Sequence, residues 1–326
     1  MKIDFSVIIP ALNEVENIGK CIEAIRRNEC KDVSIEIIVV DHGSDDGTVE
    51  IARELADILI ENSAENMKSI SDLRNMGAEK SSGNILAFLD ADMVVPVNWI
   101  VTAVSYFNDG YKGAIGFVEH VPESAGWVGK TWGSRFILRR GRKMDVDFLP
   151  GKNILINRHV FNLVGGFDSQ LATAEDKAFT FKVIQNGFRV MSVPDINLIH
   201  LGYEKNLWEF IKKEFWRQGN TIKFAQTNNY SLRSLKNPIV SLWHMVVFLF
   251  FLVSMGIQSP IFVLWAFVLW VTPSALIVLF TVEKKHPFKL IFLFYLLTFF
   301  RWNISGTAFF YQLSKNYYQD RLPVLK

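Results

Sequence analysis

Two carboxylates one residue apart, Asp90 and Asp92, follow the apolar run Ile85 to Leu89. Oxygen ligands spaced this way can bind one hard cation. A cation there would serve a reaction whose leaving group is a diphosphate, because it neutralises charge building on the departing oxygens. A solvated acidic turn is the plainer reading of the same pair. Two more polar clusters also close apolar runs: Pro10-Ala-Leu-Asn13-Glu14 and Asp41-His-Gly43-Ser-Asp-Asp-Gly47-Thr48. Gly, Ser and Asp are what turns and helix N-caps select, so the second cluster has a purely structural reading as well.

The elements that must position these residues alternate. Ser6 to Ile9, Ile35 to Val40, Ile58 to Ile60 and Ile85 to Leu89 read as short buried strands rich in β-branched residues. Helical patterns separate them, as in Ile18 to Arg27 and Val49 to Leu55. Strand-helix-strand alternation implies an α/β fold with a mostly parallel sheet flanked by helices. In such sheets ligands sit beyond the carboxyl ends of the strands, where the three polar clusters fall.

A chain of 326 residues, half of them hydrophobic, has ample material for a core and excludes global disorder. Its net charge of +2 gives no field arguing for nucleic acid as a partner. Cys21 and Cys30 stand in no CxxC or Cys/His cluster and read as free thiols. The N-terminus passes straight into the strand at Val7 to Ile9, with nothing there expected to send the first region across a membrane.

Composition changes near Pro238. Ile239 to Ile257 has no ionisable group except His244, and Ile261 to Val282 has none. Each run suits a membrane span of about 20 residues. Gln258, Ser259 and Pro260 join them tightly enough for a hairpin. Arg233 and Lys236 precede the hairpin and Lys284, Lys285, His286 and Lys289 follow it, so this side should be cytoplasmic. A third apolar stretch, Phe288 to Tyr311, contains Arg301, whose burial in lipid is costly unless it snorkels, pairs or lines a protein interface. A third span and an interfacial or re-entrant helix are both compatible with it.

The order of the motifs resembles the family 2 glycosyltransferases, which have the GT-A fold. The matching residues are Val7-Ile-Ile-Pro10-Ala-Leu-Asn13-Glu14, Val40-Asp41-His-Gly43-Ser44-Asp-Asp-Gly47-Thr48, Leu73-Arg74-Asn75-Met-Gly77 and Phe88-Leu-Asp90-Ala-Asp92. Gly151-Lys-Asn153, Val164-Gly165-Gly166-Phe167-Asp168 and Glu175-Asp176 complete the set over about the first 220 residues. The resemblance implies that Asp41 binds the donor nucleobase, with Pro10, Asn13 and Glu14 shaping that pocket and Arg74 near the base or diphosphate. It implies that Asp90 faces the ribose or phosphates and that Asp92, with Asp90, holds magnesium or manganese. Asp176 matches the catalytic base and Glu175 would help to position it. Read without the family, the pair is an acidic helix N-terminus favoured by the helix dipole. Paired glycines at Gly165-Gly166 are best explained by backbone conformation. His42 and Leu12 depart from the family's usual residues, which leaves the donor base open.

Leu207 to Thr227 reads as an amphipathic helix mixing aromatics with cations, suited to the inner leaflet or to packing as an ordinary surface helix. Trp216-Arg217-Gln218-Gly219 loosely resembles an acceptor-side motif but lacks the Gln-x-x-Arg-Trp order of processive synthases, which favours a single transfer per encounter. The basic stretch around Arg139 and Arg140 would meet an anionic acceptor or lie solvated at the membrane surface. The expectation is therefore a GT-A catalytic domain over 1–204, an interfacial helix region over 205–237, and two or three transmembrane helices over 238–326. The enzyme expected is an inverting, metal-dependent glycosyltransferase on the cytoplasmic side of a membrane, using a nucleotide-sugar donor and a lipid-linked or membrane-proximal acceptor in glycan assembly, with no nucleic acid. Transfer to polyprenyl phosphate is an alternative, although Val94 stands where that group's Gln is usual. A non-catalytic nucleotide-sugar-binding scaffold is another.

Overall fold

A computed structural model of the chain describes residues 4–28, 33–61, 69–137, 144–171, 173–217, 232–282 and 286–319. In chain order the elements are β1 (Phe5–Ala11), α1 (Ile18–Arg26), β2 (Ile35–Asp41), α2 (Thr48–Leu55), β3 (Ile58–Glu61), α3 (Ile70–Lys80), β4 (Ile85–Leu89), β5 (Met93–Val94), α4 (Trp99–Asn108) and β6 (Gly113–His120). There follow α5 (Trp127–Ile137), β7 (Met144–Asp145), β8 (Asn153–Asn157), α6 (Arg158–Leu163), α7 (Glu175–Gln185), β9 (Arg189–His200), α8 (Leu207–Arg217), α9 (Leu232–Gly256), α10 (Pro260–Thr281) and α11 (Phe288–Gln319). They divide into two compact units: Met1–Ser124 with Arg139–Tyr203, and Ala125–Leu138 with Glu204–Lys326.

The first unit is built on a mixed sheet of order β3-β2-β1-β4-β8-β6-β9-β5, with β7 paired to β9. The four strands expected from their β-branched runs form its parallel half. Beyond β4 the direction changes: β8 runs antiparallel to both β4 and β6, while β9 runs parallel to β6. Both faces of the parallel half are covered, so its strands are apolar throughout instead of alternating with polar residues. Val7, Ile9, Ile37, Val39 and Leu89 join one core, and Ile8, Ile38, Val40, Leu86 and Phe88 join the other. Gly77 lets α3 approach β1, since a Cβ there would lie 2.4 Å from the Ile8 side chain. That close approach sets the depth at which Arg74, one turn earlier, meets the sheet edge.

In the second unit α5, α8, α10 and α11 share one buried cluster containing Val128, Trp132, Phe210, Val278, Phe294 and Leu297. Three helices are long and apolar enough to cross a membrane: Asn237–Gly256, Pro260–Phe280 and Phe288–Tyr311. Arg301 resolves its burial by pairing. Its Nε is 3.3 Å from Glu214, which is 1% exposed, and its guanidinium stacks near Trp132 and Trp302. Glu214 also holds Arg217 at 2.5 Å, and Arg217 reaches Glu204 at 2.6 Å. Two cations thus meet two acids.

Candidate active site

The carboxyl ends of β1, β2 and β4 lie side by side because the register aligns Pro10 with Val40 and Ala11 with Asp41. Behind them two loops are laced together. The Asn13 N–H donates to Ser44 Oγ at 2.8 Å, Glu14 N–H to Thr48 Oγ1 at 2.7 Å, and Val15 N–H to Asp46 Oδ2 at 3.1 Å. Asn13 adopts a left-handed φ of 55° to make this turn, a conformation Asn tolerates better than most residues. Asp41 is buried, and one of its oxygens accepts from the N–H groups of Gly43 and Ser44, both at 2.8 Å, while the other takes the Ser44 hydroxyl. Its carboxylate therefore organises the loop from within. Pro10 is buried at the end of β1. Glu14 accepts from the Asn17 amide at 2.9 Å, and its carboxyl is pushed up by burial, with Asp92 and Asp90 adding to the effect. The strand-end cluster at Glu14 thus feels the charge of the Asp90 turn.

Arg74 joins the two acidic motifs. A capping box, with Ser69 and Asp72 exchanging side-chain and backbone hydrogen bonds, starts α3 just before it. The guanidinium is 2% exposed and donates to Asp90 Oδ1 at 3.0 Å and to Glu175 Oε1 at 2.8 Å. It also lies 5.3 Å from the centre of the Phe167 ring. Gly151 is needed here, because a Cβ would stand 2.6 to 2.8 Å from the guanidinium. Phe167 is fixed by Asn75, whose amide donates to the Phe167 carbonyl at 2.9 Å and accepts from its N–H at 3.0 Å. Gly166 takes a φ of 64°, and a Cβ on it would lie 2.7 Å from the Asn75 side-chain oxygen. The Leu73-Arg74-Asn75 and Gly165-Gly166-Phe167 motifs are therefore two halves of one support.

Asp176 follows in the first turn of α7, after Ala174 in a left-handed conformation with φ 63°, strained for a residue with a Cβ. One oxygen accepts the Gly151 N–H at 3.0 Å and the other the Lys177 N–H at 2.7 Å. Burial, and then the neighbouring Glu175, push its carboxyl up to about 7, against the opposing pull of those N–H groups and Arg74. Asp90 is pushed up by burial and by Asp92, against Arg74. Asp90 and Glu175, 85 positions apart in the chain, thus share one guanidinium, while Asp92 perturbs Asp90 and Glu175 perturbs Asp176. Perturbed carboxyls with named charge partners are typical of functional sites.

Asp92 has a separate support, which sequence reasoning missed. Its Oδ2 is 3.3 Å from His200 Nε2, its side chain is 17% exposed, and its carbonyl accepts the Leu201 N–H at 2.8 Å. His200 Nδ1 is 3.1 Å from Lys152 Nζ, which pairs with Glu119 at 2.7 Å. An ammonium only donates, so Nδ1 accepts and the proton is assigned to Nε2, facing Asp92. Gly202 completes the fit, since a Cβ would fall 1.8 Å from Asp92 Oδ2. Among the described residues no three His, Cys, Asp or Glu side chains form a metal cage. Asp92, oriented by His200 and adjacent to Asp90, nevertheless suits magnesium or manganese, which keep waters and substrate phosphates among their ligands and need only one or two carboxylates. Lys152 falls within the Gly151-Lys-Asn153 motif, while nothing in local spacing pointed at His200, 108 positions after Asp92.

Trp216 and Arg217 lie on α8 in the second unit, Trp216 exposed and Arg217 paired with Glu204 and Glu214. Arg139 and Arg140 lie outside the described residues.

The family model for glycosyl transferase family 2 matches residues 6–165. Glycosyltransferase AglE of Haloferax volcanii is 31% identical over 252 residues, covering 75% of this chain and 81% of that protein. A PGL/p-HBAD biosynthesis glycosyltransferase of Mycobacterium tuberculosis is 25% identical over 186 residues, covering 56% and 70%. Among solved structures, the Pyrobaculum calidifontis mannosyltransferase PcManGT, in complex with GDP-Man and Mn2+, superposes with a TM-score of 0.60 at 18% identity, covering 98% of this chain and 89% of that one. S. aureus TarS 1-349 in complex with UDP-GlcNAc gives 0.53 at 16% identity, covering 98% and 92%. With the motifs of both strand-end clusters and the acidic pair in one GT-A fold, this chain belongs to glycosyl transferase family 2.

Proposed function

We propose that the protein is an inverting, metal-dependent transferase that moves a sugar from a nucleotide-sugar donor to a lipid-linked or membrane-proximal acceptor, with its catalytic unit on the cytoplasmic side of a membrane. The observation that carries this reading is the Arg74 bridge, which unites the Asp90 turn with the Glu175-Asp176 pair. The donor occupies the carboxyl ends of β1, β2 and β4, with Pro10, Asn13, Glu14 and Asp41 shaping the nucleobase side. Asp92, held by His200, is the residue that would ligate magnesium or manganese; such an ion neutralises charge on a departing diphosphate. Arg74 positions Asp90 and Glu175 from beneath.

Asp176 accepts the proton of the acceptor hydroxyl as its oxygen attacks the anomeric carbon and the bond from that carbon to the diphosphate oxygen breaks. One displacement from the opposite face inverts the anomeric centre. A base poised near 7 is ionised in about half of the molecules at neutral pH and still attracts the proton strongly, a favourable compromise for proton transfer. Donors of this class accompany the neighbouring folds, whose complexes contain GDP-Man and UDP-GlcNAc. Three apolar helices and the cationic flanks of the first two support the membrane setting and its sidedness.

The test is turnover of GDP- and UDP-sugars by the purified full chain, with and without manganese. Asp92→Ala is expected to lose metal-dependent donor binding. Asp176→Asn keeps donor binding and loses transfer by on the order of 10²–10⁴-fold. Full activity of Asp176→Asn would overturn the base assignment. Absence of both turnover and metal-dependent nucleotide binding would favour the scaffold.

A further inference from the structure

We infer that α11, although long enough to cross a bilayer, lies in the membrane plane against the near end of the α9–α10 hairpin, so that the chain crosses twice and both of its ends lie on one side. The near end is the N-terminal end of α9 together with the C-terminal end of α10. The contacts of α11 with the hairpin given below fall there or no deeper than mid-helix. Its Gly306 approaches Ser241 so closely that a Cβ would stand 2.8 Å from the Ser241 carbonyl oxygen, and Ser241 is about one turn into the first candidate span. Trp302 stacks on His244 with centroids 6.3 Å apart. On α10, Trp270 donates to Asn303 at 2.8 Å and packs on Phe299 at 4.9 Å, while Val278 and Val282 pack in the cluster of Phe294, Leu297 and Ile291.

The decisive contacts are with α8. The apolar stretch of α11 holds 24 residues from Phe288 to Tyr311, about 36 Å at 1.5 Å per residue. A helix spanning the bilayer would therefore bring Tyr311 out on the far side, across about 30 Å of hydrocarbon. Instead the Tyr311 ring lies 5.6 Å from Phe215 of α8, and Trp132 of α5 packs 6.0 Å from Phe294 near the other end of the stretch. Between them Glu214 meets Arg301. α8 meets α11 at Arg301 and Tyr311, yet it carries Glu209, Lys212, Lys213, Glu214 and Arg217, and Lys212 sits 5.2 Å over an exposed Trp208. A helix of that composition belongs at an interface, with rings in the headgroup layer and cations among phosphates. At those contacts α11 shares the depth of α8. Arg301 then has a buried acid and the charged residues of α8 beside it, which lowers the cost of its burial.

The surface that remains is apolar and aromatic: Phe288, Phe292, Phe300 and Phe310 are exposed on α11, and Trp208 and Trp216 on α8. Continuity with the lipid-facing residues of the α9–α10 hairpin identifies its partner as a phospholipid bilayer surface. This inference is independent of the transfer reaction, because it concerns whether the two chain ends share a side.

Fusions of the full chain to green fluorescent protein, which fluoresces only in the bacterial cytoplasm, and to alkaline phosphatase, active only outside it, are made separately at the N- and C-termini. Both termini are expected to report the same side. An active C-terminal phosphatase beside a fluorescent N-terminal fusion would overturn the inference. Termini that agree but both report the outside would leave it standing and overturn the cytoplasmic placement of the catalytic unit. Because a bulky fusion can disturb folding, a short C-terminal epitope is also tested for protease removal in inside-out vesicles, where removal is expected and full protection would overturn the inference. Ser259→Cys, in the turn between α9 and α10, is expected to react with a membrane-impermeant maleimide only from the side opposite the termini. Reaction only from the termini's side would show that the hairpin does not cross, which also overturns it.

Discussion

Two buried charge clusters, one in each unit, use the same residue types in opposite proportion. In the first unit a single guanidinium, Arg74, faces three carboxylates, Asp90, Glu175 and Asp176. In the second, Arg217 and Arg301 face Glu204 and Glu214, two against two. The balanced cluster has nothing left to bind and serves to hold α8 against α11. The unbalanced one keeps excess negative charge, and its acids Asp90 and Asp176 are pushed up first by burial and then by a neighbouring acid, Asp92 and Glu175 respectively. Excess charge of this kind costs stability, and it persists where a cation or a proton is to be received. Charge balance, more than burial or ion-pair distance, separates a site from a structural tie in this molecule.

Removal of the minority partner is the sharpest way to break that comparison. Arg74→Met leaves Asp90 and Glu175 without their shared cation, and stability is expected to fall by about 3–5 kcal/mol, with transfer lost to background. Thermal unfolding in detergent and turnover of the full chain measure both. Glu214→Leu is expected to cost less, about 1–3 kcal/mol, because Arg217 and Arg301 are each about a third exposed and water can reach them. The double change Glu214→Leu/Arg301→Leu should recover most of that loss, since an apolar pair can replace a buried ion pair without penalty. If Glu214→Leu abolished turnover at unchanged stability, the second cluster would be catalytic and the contrast would fail.

Asp92 sharpens the comparison, because its support acts on the proposed metal ligand and not on the fold. His200→Gln is expected to weaken manganese-dependent nucleotide binding by about 10–100-fold while leaving the melting temperature nearly unchanged. A manganese titration of nucleotide binding reads this. Equal loss of binding and stability would make His200 a core residue.

Legibility of these features in the sequence followed the range of the interactions that make them. The parallel strands were readable because β-branched runs fix strands locally, and the observed β2 and β4 begin at Ile35 and Ile85 as the pattern indicated. Motif order indicated Asp90, Asp92 and Glu175-Asp176 as a set. The burial of Arg74 was not readable, since it depends on Gly77 and Gly151, distant glycines that make room at the sheet edge. His200 was invisible because the register of β5 with β9, which sets Met93 opposite His200, brings it to Asp92. The reversal of direction at β8 is likewise a product of tertiary pairing. Arg301 announced itself as an anomaly in an apolar run, but its partner came from α8, 87 positions earlier.

The smallest expected effect is a displacement along the pH axis, and it addresses the imbalance directly. Asp176 has its carboxyl pushed up to about 7, first by burial and next by Glu175. As the proposed base it would be inactive when protonated, so kcat/KM should fall about tenfold per pH unit below that value. Stability moves the other way. A folded-state value above the unfolded value near 4 means that the native protein binds this proton more tightly, so stability is lost as pH rises from about 4 to about 7. Asp176→Asn, which stays neutral, should therefore melt higher than the parent by a margin that grows through that window and levels off above it. Glu175→Gln removes the neighbouring negative charge and should shift the acid limb of kcat/KM to lower pH without abolishing transfer. An acid limb unmoved by Glu175→Gln would mean that burial alone sets the proton affinity of Asp176, and that the surplus of carboxylates around Arg74 has no part in tuning the base.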